Sequence, residues 1–331
     1  MGVSISIGIS PRESLLDWAS FTARLEAHGV DELWLIDSQL AMKDAYIGLA
    51  LAATRTERMR LGTGVSNLVT RHPTVTANAI AAIAELSGGR AMLGLGAGDS
   101  AVYGLGARPS RVAEVEEGLG FFRAVLGGRE GVWGDRSYRL PTPAPSTPVY
   151  LAVSQPRMCR LAGRMADGAI VMGPAQTDVL ARQLGWIEEG IAAAGRERYD
   201  VRVCFVATLS ARADAAAALD DVRSWASAQA RLQADARELP PSLEPFTEEI
   251  ARAKADYDYA EHLSTRARHQ ATVSDELVRT LAIAGTPEEC VDRLRALQAT
   301  GVDDLIFPLM GSRRLERLQV LTERITPALR D

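Results

Sequence analysis

Short apolar segments alternate with segments of helical periodicity along the whole chain. The apolar segments are SISIGI, ELWLI, MRLGTGV, AMLGLG, VYLAV, GAIVMG, VRVCFVATL and DLIFPL. Between most of them the apolar residues recur at helical spacing, as in PRESLLDWASFTARLEAHG and TVTANAIAAIAELSGG. Continuous apolar strands that alternate with amphipathic helices are typical of parallel strands covered on both faces. Eight such strands predict a (β/α)8 TIM barrel, and a doubly wound open sheet is the alternative.

The longest connection lies between the seventh and the eighth predicted strands. It begins with a helical pattern over 211–232, passes the proline-rich RELPPSLEPFT and resumes with a helical pattern over 248–263. Prolines in the middle of such a segment favour a loop between two helices. We therefore predict a single barrel domain over residues 1–331. Within it, residues 210–280 are expected to form a helical insertion over the C-terminal face of the barrel.

Composition and charge narrow the class of protein. The 331 residues are 47% hydrophobic and carry a formal net charge of -5, which is typical of a soluble globular protein. Mild acidity, with Lys43 and Lys254 the only lysines, argues against a nucleic-acid partner. No basic, apolar leader and no run of membrane-spanning length is present. Together with three isolated cysteines, this predicts a cytoplasmic protein.

Most catalytic signatures are absent from the sequence. GAGDSA, residues 96–101, satisfies G-x-G-x-x-A after a strand, but no later strand ends in the acidic residue of a dinucleotide site. P-loop, G-x-S-x-G, H-E-x-x-H and C-x-x-C motifs do not occur. The four histidines lie too far apart to predict a metal site.

Three polar or glycine-rich strand ends are candidates for function. Asp37 ends the second strand, where a barrel directs side chains into the active site, although it could instead cap the following helix. The glycines of LGTGVSN, residues 61–67, indicate either a plain turn or a backbone that a ligand approaches closely. Arg157 lies at the start of the helix behind the fifth strand, which is a favourable place for an anion.

Three longer segments resemble a known family. They are GTGVSNLVTRHPTVTANAIAAIAELSGGRAMLGLGAGD, PVYLAVSQPRMCRLAGRMADGAIVMG and LAIAGTPEECVDRLRALQATGVDDLIFP. They resemble the bacterial-luciferase-like superfamily, and within it the coenzyme F420-dependent methylenetetrahydromethanopterin reductases. The resemblance implies a (β/α)8 barrel, a deazaflavin across its C-terminal face, and a homodimer formed through helices beside the second and third strands. It also implies a non-prolyl cis peptide at the end of the third strand, at Gly64–Val65.

The same resemblance implies positions for the cofactor. Asp37 would face the polar edge of the ring system, and Gly64, Val65 and Ser66 would lie behind its central ring. Gly96, Ala97 and Gly98 would lie where the fourth strand meets the cofactor. The phosphate-bearing tail would contact Ala152, Val153, Ser154 and Gln155, near Arg157, and the ribityl chain would pass Ala169 to Met172.

The sequence departs from the family pattern at three positions. Ser38 follows Asp37 where many F420 enzymes have histidine, Gly8 stands where the methanopterin reductases have an acidic residue, and Gln155 replaces a common glycine. The first two argue against methanopterin itself as the substrate. The third leaves FMN open as an alternative to F420.

The expected activity is hydride transfer between C5 of F420 and a small organic substrate under the insertion. Asp37 and Ser38 are the catalytic candidates, and His72, Tyr257 and His262 are candidates for substrate contact. One alternative is an FMN-dependent monooxygenase that uses reduced flavin and O2, with a separate flavin reductase as partner. A second alternative is a non-catalytic barrel that binds a flavin.

Overall fold

A computed structural model of the chain describes residues 4–9, 14–39, 41–236, 238–258, 268–309 and 313–330. Its strands are Ser6–Ile9 (β1), Glu32–Leu35 (β2), Arg60–Thr63 (β3), Ser66–Asn67 (β4), Ala91–Gly96 (β5), Gly131–Trp133 (β6), Arg136–Tyr138 (β7), Val149–Val153 (β8), Gly168–Val171 (β9), Arg202–Val206 (β10), Leu209–Ala211 (β11), Ile283–Gly285 (β12) and Asp304–Pro308 (β13). Each of the eight apolar segments forms a strand, namely β1, β2, β3, β5, β8, β9, β10 and β13, which confirms the prediction from the sequence pattern.

Helices separate most of these strands. They are Leu15–Ala27 (α1), Ala45–Ala53 (α2), Pro73–Leu86 (α3), Ser100–Tyr103 (α4), Val112–Leu126 (α5), Pro156–Met165 (α6), Thr177–Ala193 (α7), Ala215–Gln233 (α8), Thr247–Ala255 (α9), Asp275–Leu281 (α10), Pro287–Gln298 (α11), Arg314–Val320 (α12) and Thr326–Arg330 (α13). Among the described residues, none of these helices combines the length and the apolar composition of a membrane span.

The chain divides into two compact units. The first unit comprises Ser4–Val171 and Trp186–Cys204. Within it, six strands pair in parallel in the order β1–β2–β3–β5–β8–β9. A doubly wound sheet reverses its strand order at a switch point, whereas these six follow chain order without a reversal. Their order is that of a (β/α)8 barrel.

The second unit comprises Met172–Gly185 and the chain from Phe205 onward, with the amino-terminal residues 1–3 outside the described part. Helices α8, α9 and α10 supply most of the buried apolar residues of one core cluster in this unit. These helices occupy most of the segment 210–280, which was predicted to be a helical insertion. The proline-rich stretch before α9 contains a 3-10 turn at Glu244–Phe246, as expected of a loop between helices.

Candidate active site

The carboxyl ends of the parallel strands in the first unit meet at one edge of the sheet. Asp37 follows β2, the Gly64–Val65 peptide follows β3, and Gly98 follows β5. Register places Ser66 opposite Leu95 at the end of β5. The structure therefore brings together the predicted residues from β2, β3, β4 and β5, at the edge where parallel α/β folds bind their ligands.

The bend after β3 has an unusual backbone with a packing reason for its glycine. The Gly64–Val65 peptide bond is cis, as the family resemblance implied, and the Gly64 N–H donates to the Leu35 carbonyl at 2.7 Å. A Cβ at Gly64 would lie 2.8 Å from the Trp34 Cβ, and the Trp34 side chain is fully buried. Glycine is thus required here because Trp34 occupies the space.

Neighbouring backbone and Val65 explain two further glycines. A Cβ at Gly94 would collide with the Thr63 carbonyl oxygen and lie 3.0 Å from Val65 Cγ1, and one at Gly96 would lie 2.9 Å from Val65 Cγ2. The G-x-G motif continues with Gly98, which has φ +98° and lies against the Val102 side chain. These contacts give the glycine-rich strand end a structural role, because the Thr63 carbonyl and the Val65 and Val102 side chains occupy the space that side chains would need.

Asp37 is partly buried and has a single hydrogen-bond donor within the described part of the chain. The Ser66 hydroxyl donates to Asp37 Oδ2 at 2.6 Å. Among the residues that the structure describes, no other donor reaches this carboxyl group, so Oδ1 is available to a ligand. Burial raises the pKa of Asp37, against the lowering effects of the Ser66 hydrogen bond and the Arg71 charge, while Asp44 raises it further. A carboxyl group in this state suits hydrogen bonding or proton transfer.

Three residues around Asp37 were not predicted from the sequence. The Tyr46 hydroxyl donates to Ser66 Oγ at 3.0 Å, and burial with the charge of Asp37 raises the pKa of Tyr46 to about 12. The Arg71 guanidinium lies 4.5 Å from the centre of the Tyr46 ring and pairs with Asp44 at 2.8 Å. A weak signal existed for Asp44 alone, because an aspartate before an apolar helix is a common N-cap.

The alternative role of Asp37 as a helix cap is wrong. The N-cap of α2 is Asp44, whose carboxylate accepts from the N–H groups of Tyr46 and Ile47 at 2.9 and 3.0 Å. Ser38, the neighbour of Asp37, is 6% exposed.

Further predicted residues lie at the end of β8 and the start of α6. Ala152 packs near Gly96, since a Cβ on that glycine would lie 3.7 Å from the Ala152 Cβ. Val153 is buried, Ser154 is half-buried, and Gln155 is the N-cap of α6 without a side-chain capping bond. Arg157 is exposed in the first turn of this ten-residue helix.

The remaining predicted contacts are scattered. His72 is exposed and caps α3, with Nδ1 accepting from the Thr74 N–H at 3.3 Å. Ala169 is fully buried within β9. Met172 and Tyr257 belong to the second unit, where Tyr257 is 8% exposed and lies under the Arg231 guanidinium. His262 lies outside the described residues.

A cavity of about 490 Å³ adjoins this edge of the first unit. Its apolar walls include Leu68, Val69 and Trp133. Ser110, also in its lining, donates its N–H to the Ala97 carbonyl at 2.7 Å. None of the residues predicted from the sequence lines this cavity, whose volume is in the range of small-molecule sites.

Comparison with known proteins identifies the family. The model of the luciferase-like monooxygenase family matches residues 3–304. The chain belongs to this family. This result confirms the resemblance found in the sequence.

Relatives and solved structures agree with the family. The chain is 28% identical to the 5,10-methylenetetrahydromethanopterin reductase of Methanolobus tindarius over 314 residues, covering 92% of this chain and 93% of the relative. It is 29% identical to the F420-dependent glucose-6-phosphate dehydrogenase of Intrasporangium calvum over 344 residues, covering 97% and 95%. The structure of the coenzyme F420-dependent tetrahydromethanopterin reductase of Methanopyrus kandleri superposes with a TM-score of 0.82 at 22% identity, covering 99% of this chain and 100% of that one.

These comparisons show the luciferase-like (β/α)8 barrel fold and confirm that the chain is a luciferase-like enzyme, as predicted. The two named relatives differ in the substrate that their names give, a pterin in one and a sugar phosphate in the other.

Proposed function

We propose that the protein is an F420-dependent oxidoreductase that transfers a hydride between the deazaflavin and a small organic substrate. The observation that carries this proposal is the Asp37 carboxyl, whose Oδ2 accepts from Ser66 while Oδ1 has no donor among the described residues. A carboxyl group with one unused acceptor, at the carboxyl ends of parallel strands, fits the polar edge of a flat heterocycle.

The residues present fit such a cofactor in two places. Around Asp37, the half-buried Gly64, Val65, Ala97 and Gly98 leave backbone accessible at the strand ends, where a planar ring can lie. At the start of α6, the first backbone N–H groups and Arg157 offer a site for a phosphate, because a helix N-terminus favours an anion.

Bound F420 would supply the hydride chemistry at its C5 atom. The protein itself would bind and orient the cofactor and would hold a proton. Asp37 would accept a hydrogen bond through Oδ1 and, when protonated, donate one. We further propose Ser38 and His72 as candidate substrate contacts in the first unit.

Titration of the purified apoprotein with F420 and with FMN, followed by fluorescence quenching, tests the cofactor. We expect micromolar or tighter binding of F420, and tighter binding of F420 than of the phosphate-free deazaflavin riboside. Arg157→Gln should reduce the affinity for F420 by about three- to tenfold and leave the riboside unchanged, since a charge-assisted contact to phosphate is worth about 1 kcal/mol or more. Binding of FMN without F420 would overturn the proposal.

The second candidate is an FMN-dependent monooxygenase, which the name of the family model favours. Such an enzyme would use reduced flavin and O2 and would need a flavin reductase as partner. Consumption of O2 with reduced FMN and a substrate panel distinguishes it from hydride transfer by F420. Tight cofactor binding without turnover of any substrate would instead favour a non-catalytic flavin-binding barrel.

We also propose a homodimer that buries α2 and α3. Helix α2 reads AYIGLALAA and is apolar on every side, which is typical of a helix covered by other protein. Ile47 on α2 and Val75 and Leu86 on α3 are nevertheless 51%, 50% and 54% exposed. Light scattering after size exclusion should give twice the chain mass, and Ile47→Glu should give the monomer.

A further inference from the structure

A chain of two hydroxyl groups ends on Asp37. Tyr46 from α2 donates to Ser66 Oγ at 3.0 Å, and Ser66 from β4 donates to Asp37 Oδ2 at 2.6 Å. Tyr46 is 6% exposed and Ser66 is fully buried, so both hydroxyl groups are shielded from water. The three residues come from helix α2, strand β4 and the loop after β2, and their contact is a product of the fold.

The number of available protons fixes the donor and the acceptor in both hydrogen bonds. A serine hydroxyl has one proton and can donate once. Because Ser66 donates to the ionised Asp37, it must accept from Tyr46, whose own proton then points toward Ser66. Both protons are directed toward Oδ2, and hydrogen bonds in such a series strengthen one another. Oδ2 is therefore engaged, while Oδ1 accepts from no donor among the described residues.

Tyr46 is itself held from two sides. Asp44 caps α2 and accepts from the Tyr46 N–H at 2.9 Å. The Arg71 guanidinium lies 4.5 Å from the centre of the Tyr46 ring and donates to Asp44 at 2.8 Å. A cation over an aromatic face is attracted by the ring, so Arg71 and Asp44 together fix the phenol. The charged groups that act on Asp37 are Arg71 and Asp44, and their effects oppose each other.

We infer that Tyr46 is a positioning residue, which acts through Ser66 to hold the Asp37 carboxyl with Oδ1 directed at the bound cofactor. The orientation of Oδ1 toward a cofactor rests on the proposed function, whereas the positioning of Asp37 by Ser66 and Tyr46 does not. The hydroxyl groups of Tyr46 and Ser66 also stabilise the ionised form of Asp37, because both donate toward it. Tyr46 thus affects the pH at which Asp37 changes its charge, although it does not touch the carboxyl.

Carboxyl titration of the full-length protein tests this inference without any cofactor. The protein is labelled with ¹³C at the aspartate carboxyl, and Asp37→Asn identifies the resonance of Asp37. Ser66→Ala should raise the titration midpoint of Asp37 by about one pH unit, since a hydrogen bond to a charged group changes an equilibrium by tenfold or more. Tyr46→Phe, which keeps the ring under Arg71, should raise it by a smaller, measurable amount.

The matched control is another serine that donates to an aspartate. Ser210 donates to Asp221 Oδ2 at 2.9 Å, so Ser210→Ala removes the same kind of bond elsewhere. It should leave the midpoint of Asp37 unchanged. An unchanged midpoint in Tyr46→Phe, or an equal change in Ser210→Ala, would overturn the inference.

The pH dependence of F420 affinity tests the direction of Oδ1. In Ser66→Ala and Tyr46→Phe, the midpoint of this dependence should move upward in the same order as the midpoint of Asp37. If wild-type protein fails to bind F420, the proposed function fails while the carboxyl titration still decides the role of Tyr46. If F420 binds and its pH dependence is the same in all three proteins, the direction assigned to Oδ1 is wrong.

Discussion

Two aspartates of this chain accept a serine hydroxyl, and their surroundings otherwise differ. Asp37 in the first unit accepts from Ser66 at 2.6 Å and has no cation in direct contact among the described residues. Asp221 in the second unit accepts from Ser210 at 2.9 Å and forms ion pairs with three guanidinium groups. These belong to Arg212, Arg313 and Arg317, at 3.3, 3.7 and 3.0 Å.

The two environments shift the acidity of the carboxyl groups in opposite directions. Burial is the largest influence on both and raises the pKa of Asp37. At Asp221 burial is outweighed by the charge and hydrogen bond of Arg317, the hydrogen bond of Ser210 and the charge of Arg212, so its pKa is lowered. A carboxylate surrounded by cations, as at Asp221, links secondary-structure elements to one another. A carboxyl group with one neutral donor, as at Asp37, can still bind a ligand or a proton.

The largest expected effect is on catalysis, in Asp37→Asn. We expect the rate of hydride transfer with F420 to fall by at least about 100-fold, because a positioned acid or base contributes about 10²–10⁴-fold. Stopped-flow absorbance of the deazaflavin, with the best substrate from a panel, measures this rate. Asp221→Asn is the matched control and should retain the rate within about threefold. A loss below threefold in Asp37→Asn would remove Asp37 from the chemistry.

The next effect is on stability, in Asp221→Ala. Its side chain is 22% exposed, and its removal leaves three arginines of the second unit without their shared counter-charge. We expect the free energy of unfolding to fall by about 2–3 kcal/mol, somewhat less than for a fully buried ion pair. Urea denaturation measures the loss. Asp37→Ala should cost less than half as much, and equal losses would contradict the contrast between the two sites.

The sequence was sufficient to predict the strands of the barrel and some residues of the candidate site. Continuous apolar segments identify buried parallel strands, because few other elements tolerate so little polarity on both faces. Asp37 followed from its place after such a strand, and the Gly64–Val65 bond followed from family resemblance. Each of these depends on short-range pattern or on inherited motifs.

Other parts of the site depend on contacts that no local pattern records. Tyr46 lies on an apolar helix, and only the rotation of α2 against β4 brings its hydroxyl to Ser66. Arg71 resembles any loop arginine until the fold places it over that ring. Likewise Gly96, which the family resemblance assigns to the cofactor, also makes room for Val65. Long-range packing decides these roles.

The two aspartates should change the free energy of unfolding in opposite directions as the pH falls. Asp221 has a lowered pKa in the folded state, so its contribution is present at neutral pH and is lost as pH falls through the ordinary range for Asp toward the folded value. Asp37 has a raised pKa, so its contribution is present below the ordinary range for Asp and is lost as pH rises through the folded value.

Unfolding free energies measured by urea across the acid range test these signs. Relative to wild type, Asp221→Asn should lose the most stability at neutral pH and the least in acid. Asp37→Asn should show the reverse trend, with its relative stability highest at neutral pH. Parallel curves for the two variants would show that their environments do not differ in the folded protein.

The smallest effect is expected in Arg71→Met, which removes a cation near Asp37 without touching the carboxyl. The Arg71–Asp44 pair is 27% and 37% exposed, and such surface pairs contribute about 0–1 kcal/mol. Removal of the charge should raise the titration midpoint of Asp37 slightly, in the same direction as Tyr46→Phe, and weaken F420 binding by less than about threefold. Arg313→Met is the matched control, since Arg313 is the most distant cation at Asp221. If Arg71→Met leaves the midpoint of Asp37 unchanged or lowers it, the charge of Arg71 does not act on Asp37, and the cation over Tyr46 serves packing alone.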